Sequence, residues 1–118
     1  MKTLVVGASE NIERYSNKAI RMLLKYSHEV LGFGNRVGVV DGVEIKTAFD
    51  EFENVDTVTM YLGAKNQMEY YDVILNLKPR RIIFNPGAEN VEFAKLAETK
   101  GVLVENACTL VLLSLGQY

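Results

Sequence analysis

The sequence predicts an α/β protein built on an open parallel sheet of five to six strands, with helices on both faces. Three observations carry this. Short apolar runs alternate with stretches of helical periodicity along the whole chain. The runs read as continuous apolar segments, as strands covered on both faces do. The first run, Leu4-Val5-Val6, stops at Gly7-Ala8-Ser9 ahead of a helix-forming stretch. Strand–helix–strand alternation requires right-handed crossovers between parallel strands, which gives a Rossmann-like sheet. Its order, numbered along the chain and taken from the fold class, is 3-2-1-4-5-6, with a weak edge strand.

The strand-like runs are Thr3–Val6, Glu29–Gly34, a weak Val43–Lys46, Thr57–Leu62, Arg81–Phe84 and Val102–Glu105. Ser16–Ser27 reads as a helix because Ala19, Ile20, Leu23 and Leu24 share one stripe, and Ser16 suits its N-cap. Lys65–Leu77 reads as a helix on the spacing of Met68, Tyr71 and Leu75. Asn90–Lys100 has a capping residue in Asn90 and a stop signal in Gly101. Thr109–Leu115 is apolar nearly all round, so it is expected to be buried in the fold or against a second copy, and a homodimer is expected.

At 118 residues the chain makes one domain, spanning 1–118, with room for a single core. The net charge of -2 and the absence of a Lys/Arg run speak against nucleic acid. No apolar stretch nears the roughly 20 residues of a membrane span. Met1-Lys2-Thr3 leads straight into a strand, so no leader segment is expected. A single cysteine, Cys108, forms no internal disulfide and suits a reducing, cytoplasmic setting. With one histidine and one cysteine, soft-ligand metal sites have too few parts. No catalytic Ser/His/Asp or paired-carboxylate arrangement stands out. The sole histidine, His28, falls on the amino side of the sheet and reads as structural.

In an open α/β sheet a ligand lies outside the carboxyl ends of the strands, where strand order reverses. Gly7-Ala8-Ser9, Gly34-Asn35-Arg36, Gly63-Ala64-Lys65, Asn85-Pro86-Gly87 and Asn106-Ala107-Cys108 occupy those ends. Gly7 allows the turn and a close approach of backbone to ligand. The helix behind it offers unpaired amides, those of Asn17 and Lys18 included, to a phosphate. The intervening loop is too long for the tight dinucleotide turn, and Gly-x-Gly-x-x-Gly is absent. An NAD site wants an acid after the second strand, whereas this chain offers Arg36. An arginine there suits a phosphorylated ribose, either the 2′-phosphate of NADP or the 3′-phosphate of coenzyme A. Cys108 reads either as a small buried hydrophobe or as a thiol favoured by a helix N-terminus and open to a mixed disulfide with a thiol ligand.

Four blocks together resemble the small CoA-binding proteins. They are Gly7-Ala8-Ser9-Glu10-Asn11, Arg14-Tyr15-Ser16-Asn17-Lys18-Ala19, Asn85-Pro86-Gly87-Ala88-Glu89-Asn90 and Glu105-Asn106-Ala107-Cys108-Thr109. Those stand-alone domains are similar to the N-terminal CoA-binding domain of the succinyl-CoA synthetase α subunit. The resemblance covers essentially the whole chain and implies coenzyme A or an acyl-CoA lying across the strand ends. By position it implies Gly7, Ala8, Ser9, Ser16 and Asn17 at the diphosphate, with Asn11 and Lys18 in the same blocks. It implies Asn35 and Arg36 at the adenosine 3′-phosphate, Tyr61-Leu62-Gly63 beside the adenine, and Asn85-Pro86-Gly87 facing the pantetheine arm, with Cys108 near its thiol. The ligase's phosphorylated histidine and nucleotide-grasp domain have no counterpart, so the resemblance implies binding without ligase chemistry. An NADP-binding, oxidoreductase-like domain and a ligand-controlled, partner-binding domain are the alternatives.

Overall fold

The central apolar runs become strands because both of their faces are covered. A computed structural model describes residues 1–118. Its strands are β1 (Thr3–Val6), β2 (Val30–Phe33), β3 (Gly38–Val40), β4 (Val43–Lys46), β5 (Thr57–Met60), β6 (Arg81–Phe84) and β7 (Leu103–Asn106). They form one sheet in the order β3-β4-β2-β1-β5-β6-β7. All neighbours are parallel except β3, which runs antiparallel to β4. Every residue of β1, β5 and β6 is buried.

Alternate strand residues face opposite layers. Leu4, Val6, Val58, Met60, Ile82 and Phe84 meet α2 (Tyr71–Asn76) and α3 (Val91–Thr99) through Tyr71, Ile74, Phe93 and Ala97. Phe93 stacks on Tyr71 at 4.3 Å and meets Phe84 edge-on at 5.8 Å. On the other face, Val5, Val30 and Ile45 meet Ile20 and Leu23 of α1 (Tyr15–Lys25) and Leu113 of α4 (Thr109–Ser114). Each such buried aliphatic or aromatic side chain contributes about 1.5–3 kcal/mol relative to exposure. No helix is long and apolar enough to cross a membrane.

The expected strand order is present, with one strand added. Asp41 and Gly42 carry φ values of 46° and 85°, and they join β3 to β4 as a two-residue hairpin loop. Asp-Gly between Val39-Val40 and Val43 is the sequence signal for that turn.

Three local expectations need correction. α1 starts one residue early, on Arg14 as N-cap, and Ser16 lies buried inside its first turn instead of capping it. The expected helix over 65–77 is two 3-10 turns, Ala64–Asn66 and Met68–Tyr70, followed by the short α2. The cause is Gln67: its buried amide donates to the carbonyls of Leu62 and Ala88, both at 2.8 Å, and pins the segment in tight turns. Met68 points outward there, 64% exposed, while Tyr71 keeps its place in the core. Lastly, α4 is not fully buried by this chain, since Val111 and Leu115 stay 50% and 62% exposed.

Candidate ligand-binding site

β1 lies at the centre of the sheet, and chain order reverses between it and β5. At its carboxyl end Gly7 adopts φ +97°, and the amides of Gly7 and Ala8 both donate to the Phe33 carbonyl at 2.8 Å. The loop therefore folds over the end of β2. A Cβ on Gly7 would meet Tyr61 backbone at 3.2 Å, and one on Gly34 would lie 2.4 Å from the Ala8 carbonyl oxygen. Glycine is what lets these three segments close up.

The loop from Ser9 to Arg14 is held at several points. Buried Asn17 on α1 donates to the Ser9 carbonyl (2.9 Å) and accepts from Arg21 Nε (2.8 Å). Ser9 Oγ accepts from the Asn11 amide, and Asn11 Oδ1 from the Glu13 amide. Glu10 reaches the sheet edge and accepts from the Val39 amide at 2.9 Å, in space left by the missing side chain of Gly38. The first-turn amides of Tyr15 and Ser16 have no acceptor within the helix, whereas those of Asn17 and Lys18, expected to be open, donate to the Arg14 carbonyl because the helix starts earlier. The amides of Tyr15 and Ser16 are free for an anion.

A cavity of about 570 Å³ opens here, within the range of roughly 300–1,000 Å³ typical of small-molecule sites. Arg14 and Glu69 are the only charged residues on its wall, and Tyr15, Phe33, Tyr61 and Tyr70 supply aromatic surface. Tyr70 packs against Phe33 at 5.0 Å. Burial and then the neighbouring Glu69 carboxylate hold the Tyr70 hydroxyl above its usual pKa. The Tyr61 hydroxyl is buried and unpartnered, and burial followed by nearby Cys108 raises its pKa. A shallower hollow of about 440 Å³ runs along the β3–β4 hairpin. It lies away from the strand-order reversal and from the start of α1, so it lacks the features of an anion site.

Of the residues expected at the site, Gly7, Ala8, Ser9, Ser16, Asn35, Tyr61, Leu62 and Pro86 line the cavity. Asn11, Asn17, Lys18, Arg36, Gly63, Asn85, Gly87 and Cys108 stand off its wall. Asn17 shapes the loop from behind. Lys18 rests over the Tyr15 ring, 5.0 Å from its centre. Arg36 is exposed, one residue beyond Asn35. Asn85 is buried and donates to Thr59 Oγ1 (2.7 Å) and the Met60 carbonyl (2.9 Å), while its Oδ1 accepts the Thr109 amide (2.8 Å). It ties β5, β6 and α4 together. Half-buried Cys108 precedes α4. His28 sits far off at the amino ends, where its Nδ1 meets the Met1 amino group at 2.8 Å and burial lowers its pKa.

The wall also contains Arg14, Tyr15, Phe33, Gly34, Asn66, Glu69 and Tyr70. Arg14 and Tyr15 lie in a block already marked by its pattern, and Phe33-Gly34 ends β2. Asn66, Glu69 and Tyr70 carry no motif and fall in the segment expected to be one regular helix.

A family model described as CoA binding domain matches residues 1–114. Among solved structures, an uncharacterized protein shares 41% identity and superposes with a TM-score of 0.96 over 99% of this chain and 97% of its own. Cell-free ID.343 from Thermus thermophilus shares 21% identity, with a TM-score of 0.86 over 99% of this chain and 90% of its own. The dinucleotide-forming acetyl-coenzyme A synthetase 1 of Ca. Korarchaeum cryptofilum shares 18% identity, with a TM-score of 0.73 over 90% of this chain and 25% of that longer one. At such identities the last two share the fold. No curated protein matches the chain.

Proposed function

The chain belongs to the CoA binding domain family, and from that premise we propose that it binds coenzyme A or an acyl-CoA in the cavity at the ends of β1, β2 and β5, without catalysis of its own. The observation that carries this is the glycine-lined cradle. Gly7 and Gly34 let the loop and two strand ends close together, beside the free amides of Tyr15 and Ser16. Neutral amides at a helix start suit a diphosphate.

In this reading Gly7, Ala8, Ser9 and Ser16 meet the diphosphate, and Asn17 fixes their loop. Arg14, the one cation on the wall, adds charge. Asn35 and Arg36 serve the 3′-phosphate, Tyr61, Leu62 and Gly63 the adenine, and Pro86 and Gly87 the pantetheine arm, with Asn85 holding their turn from behind. The synthetase likeness supports a role with a CoA-type ligand at this fold. Val111 and Leu115, exposed on one chain, form the contact of a homodimer. Sedimentation should give twice the chain mass, and a monomer at high concentration removes that part.

A thermal-shift panel of CoA, acetyl-CoA, NAD and NADP tests the ligand. A ligand at about 100 times its Kd adds about 2.7 kcal/mol of stability. CoA should raise the melting temperature and NAD should not. An equal or larger shift with NAD or NADP overturns the reading.

A further inference from the structure

Glu69 is an exposed carboxylate on the wall of a cavity proposed for a polyanion, and it forms no ion pair. Such a group opposes phosphate and offers only acceptors. An N–H donor on an uncharged part of a ligand would suit it. Its surroundings indicate which part. Tyr70, next to it, lines the same cavity and is held by Phe33 at 5.0 Å and Phe49 at 5.9 Å, while Phe33 and Phe49 lie 4.3 Å apart. This is a fixed aromatic platform with a carboxylate at its rim. A flat heterocycle bearing an amine matches it, because the ring packs on aromatic surface while the amine donates to the carboxylate.

We infer that Glu69, beside the Tyr70 platform, reads the exocyclic amine of the ligand's purine and so selects adenine. The inference rests on the proposed binding of CoA and adds a base-selecting residue to it. Hypoxanthine presents a carbonyl where adenine has the amine, so Glu69 would face an acceptor with an acceptor. The pantetheine amides are also N–H donors, but the proposed arm runs past Pro86 at the end of β6, on a different strand end.

The test compares adenosine 3′,5′-bisphosphate with inosine 3′,5′-bisphosphate by titration calorimetry, alongside CoA itself. The wild type should prefer the adenine form by about tenfold or more, the scale of one hydrogen bond to a charged group. Glu69→Gln and Glu69→Ala should bring the ratio close to one. Removing a negative charge strengthens both anions alike, so that effect cancels in the ratio. The side chain is exposed, so both variants should melt as the wild type does. A ratio unchanged in Glu69→Gln overturns the inference, as does a wild type that binds CoA and both bisphosphates equally, and either leaves the CoA reading intact. Failure of the wild type to bind CoA at all removes both.

Discussion

Gly34→Ala isolates the packing of the ligand loop from every other effect. Gly34 does not carry a positive φ, so alanine suits its backbone. The problem is space. The new Cβ would stand 2.4 Å from the Ala8 carbonyl oxygen and 3.1 Å from Ile45 Cγ2. The first distance is about 1 Å short of an ordinary carbon–oxygen approach. Ala8 cannot yield freely, because its amide and that of Gly7 share the Phe33 carbonyl at 2.8 Å. Overpacking of this kind costs about 1–3 kcal/mol. A domain of this size loses about 4 °C of melting temperature per kcal/mol, so a fall of roughly 4–12 °C is expected. The loop that moves is the proposed phosphate cradle, and one lost hydrogen bond to a charged group weakens CoA by about ten- to a hundredfold. Gly42→Ala is the control. It sits at φ +85° in the β3–β4 turn with open space around it, so its cost is backbone strain of about 1–2 kcal/mol. Denaturant melts and CoA titrations on both variants separate the two costs. Both should lose stability, and only Gly34→Ala should lose affinity. Full CoA affinity in a folded Gly34→Ala protein would refute the cradle.

Arg36→Glu should weaken CoA more than dephospho-CoA, by about 2–3 kcal/mol, because a charge-assisted contact is replaced by repulsion; equal losses in a titration pair would detach Arg36 from the 3′-phosphate. Asp56 accepts both Arg80 Nε and Nη2 at 3.0 Å, and that contact holds its pKa below the usual carboxylate value. A depressed folded pKa means stability that is present above the unfolded value, near 3.9, and lost as pH falls through the folded one. Acid melts should therefore steepen below about pH 4, and Asp56→Asn should flatten that slope; an unaltered pH profile in the variant would count against the pair.

The sheet was largely legible because its signals are local and redundant. Leu4-Val5-Val6 and Ile82-Ile83-Phe84 are apolar on both faces, and only a strand covered by two layers buries both. The carboxyl ends of the strand-like runs locate Gly7, Asn35 and Pro86 without any side-chain geometry, and the resemblance to the small CoA-binding proteins adds Tyr61. The β3 strand was missed because it is three residues long, and Gly38 interrupts its apolar pattern, although Asp41-Gly42 signals its turn. Spacings of three and four placed Met68, Tyr71 and Leu75 on one stripe, but tight 3-10 turns can produce such spacings as well. What decides between them is Gln67, whose buried amide bonds Leu62 and Ala88, a long-range fact that a lone glutamine does not announce. That misreading hid Glu69 and Tyr70. Asn17 and Asn85 were read as ligand contacts because asparagine in a glycine-rich block suggests recognition, yet both are buried and committed to the protein's own backbone. The C-terminal stretch, apolar nearly all round, signals burial in the fold or against a second copy, and the fold alone does not supply it. α4 packs beside α1 through Leu113, the one buried apolar residue it has, so Val111 and Leu115 stay on the surface.

The charges on the cavity wall explain why glycine and loop packing matter more here than basic side chains. Coenzyme A carries a diphosphate and a 3′-phosphate, yet the wall has one cation, Arg14, and one anion, Glu69, which cancel. Lys18 is directed over Tyr15, and Arg36 stands outside. If coenzyme A binds as proposed, its diphosphate is met mainly by backbone N–H groups at the start of α1, helped by the partial positive charge of that helix end. Amides cannot extend toward a ligand as lysine can, so the chain itself must come close. That is possible only where Gly7 and Gly34 remove the atoms that would keep three segments apart, and where Asn17 and Glu10 pin the start of the loop. In the proposed reading, affinity accordingly resides in backbone placement, and the few side chains on the wall are left free to set which base is accepted.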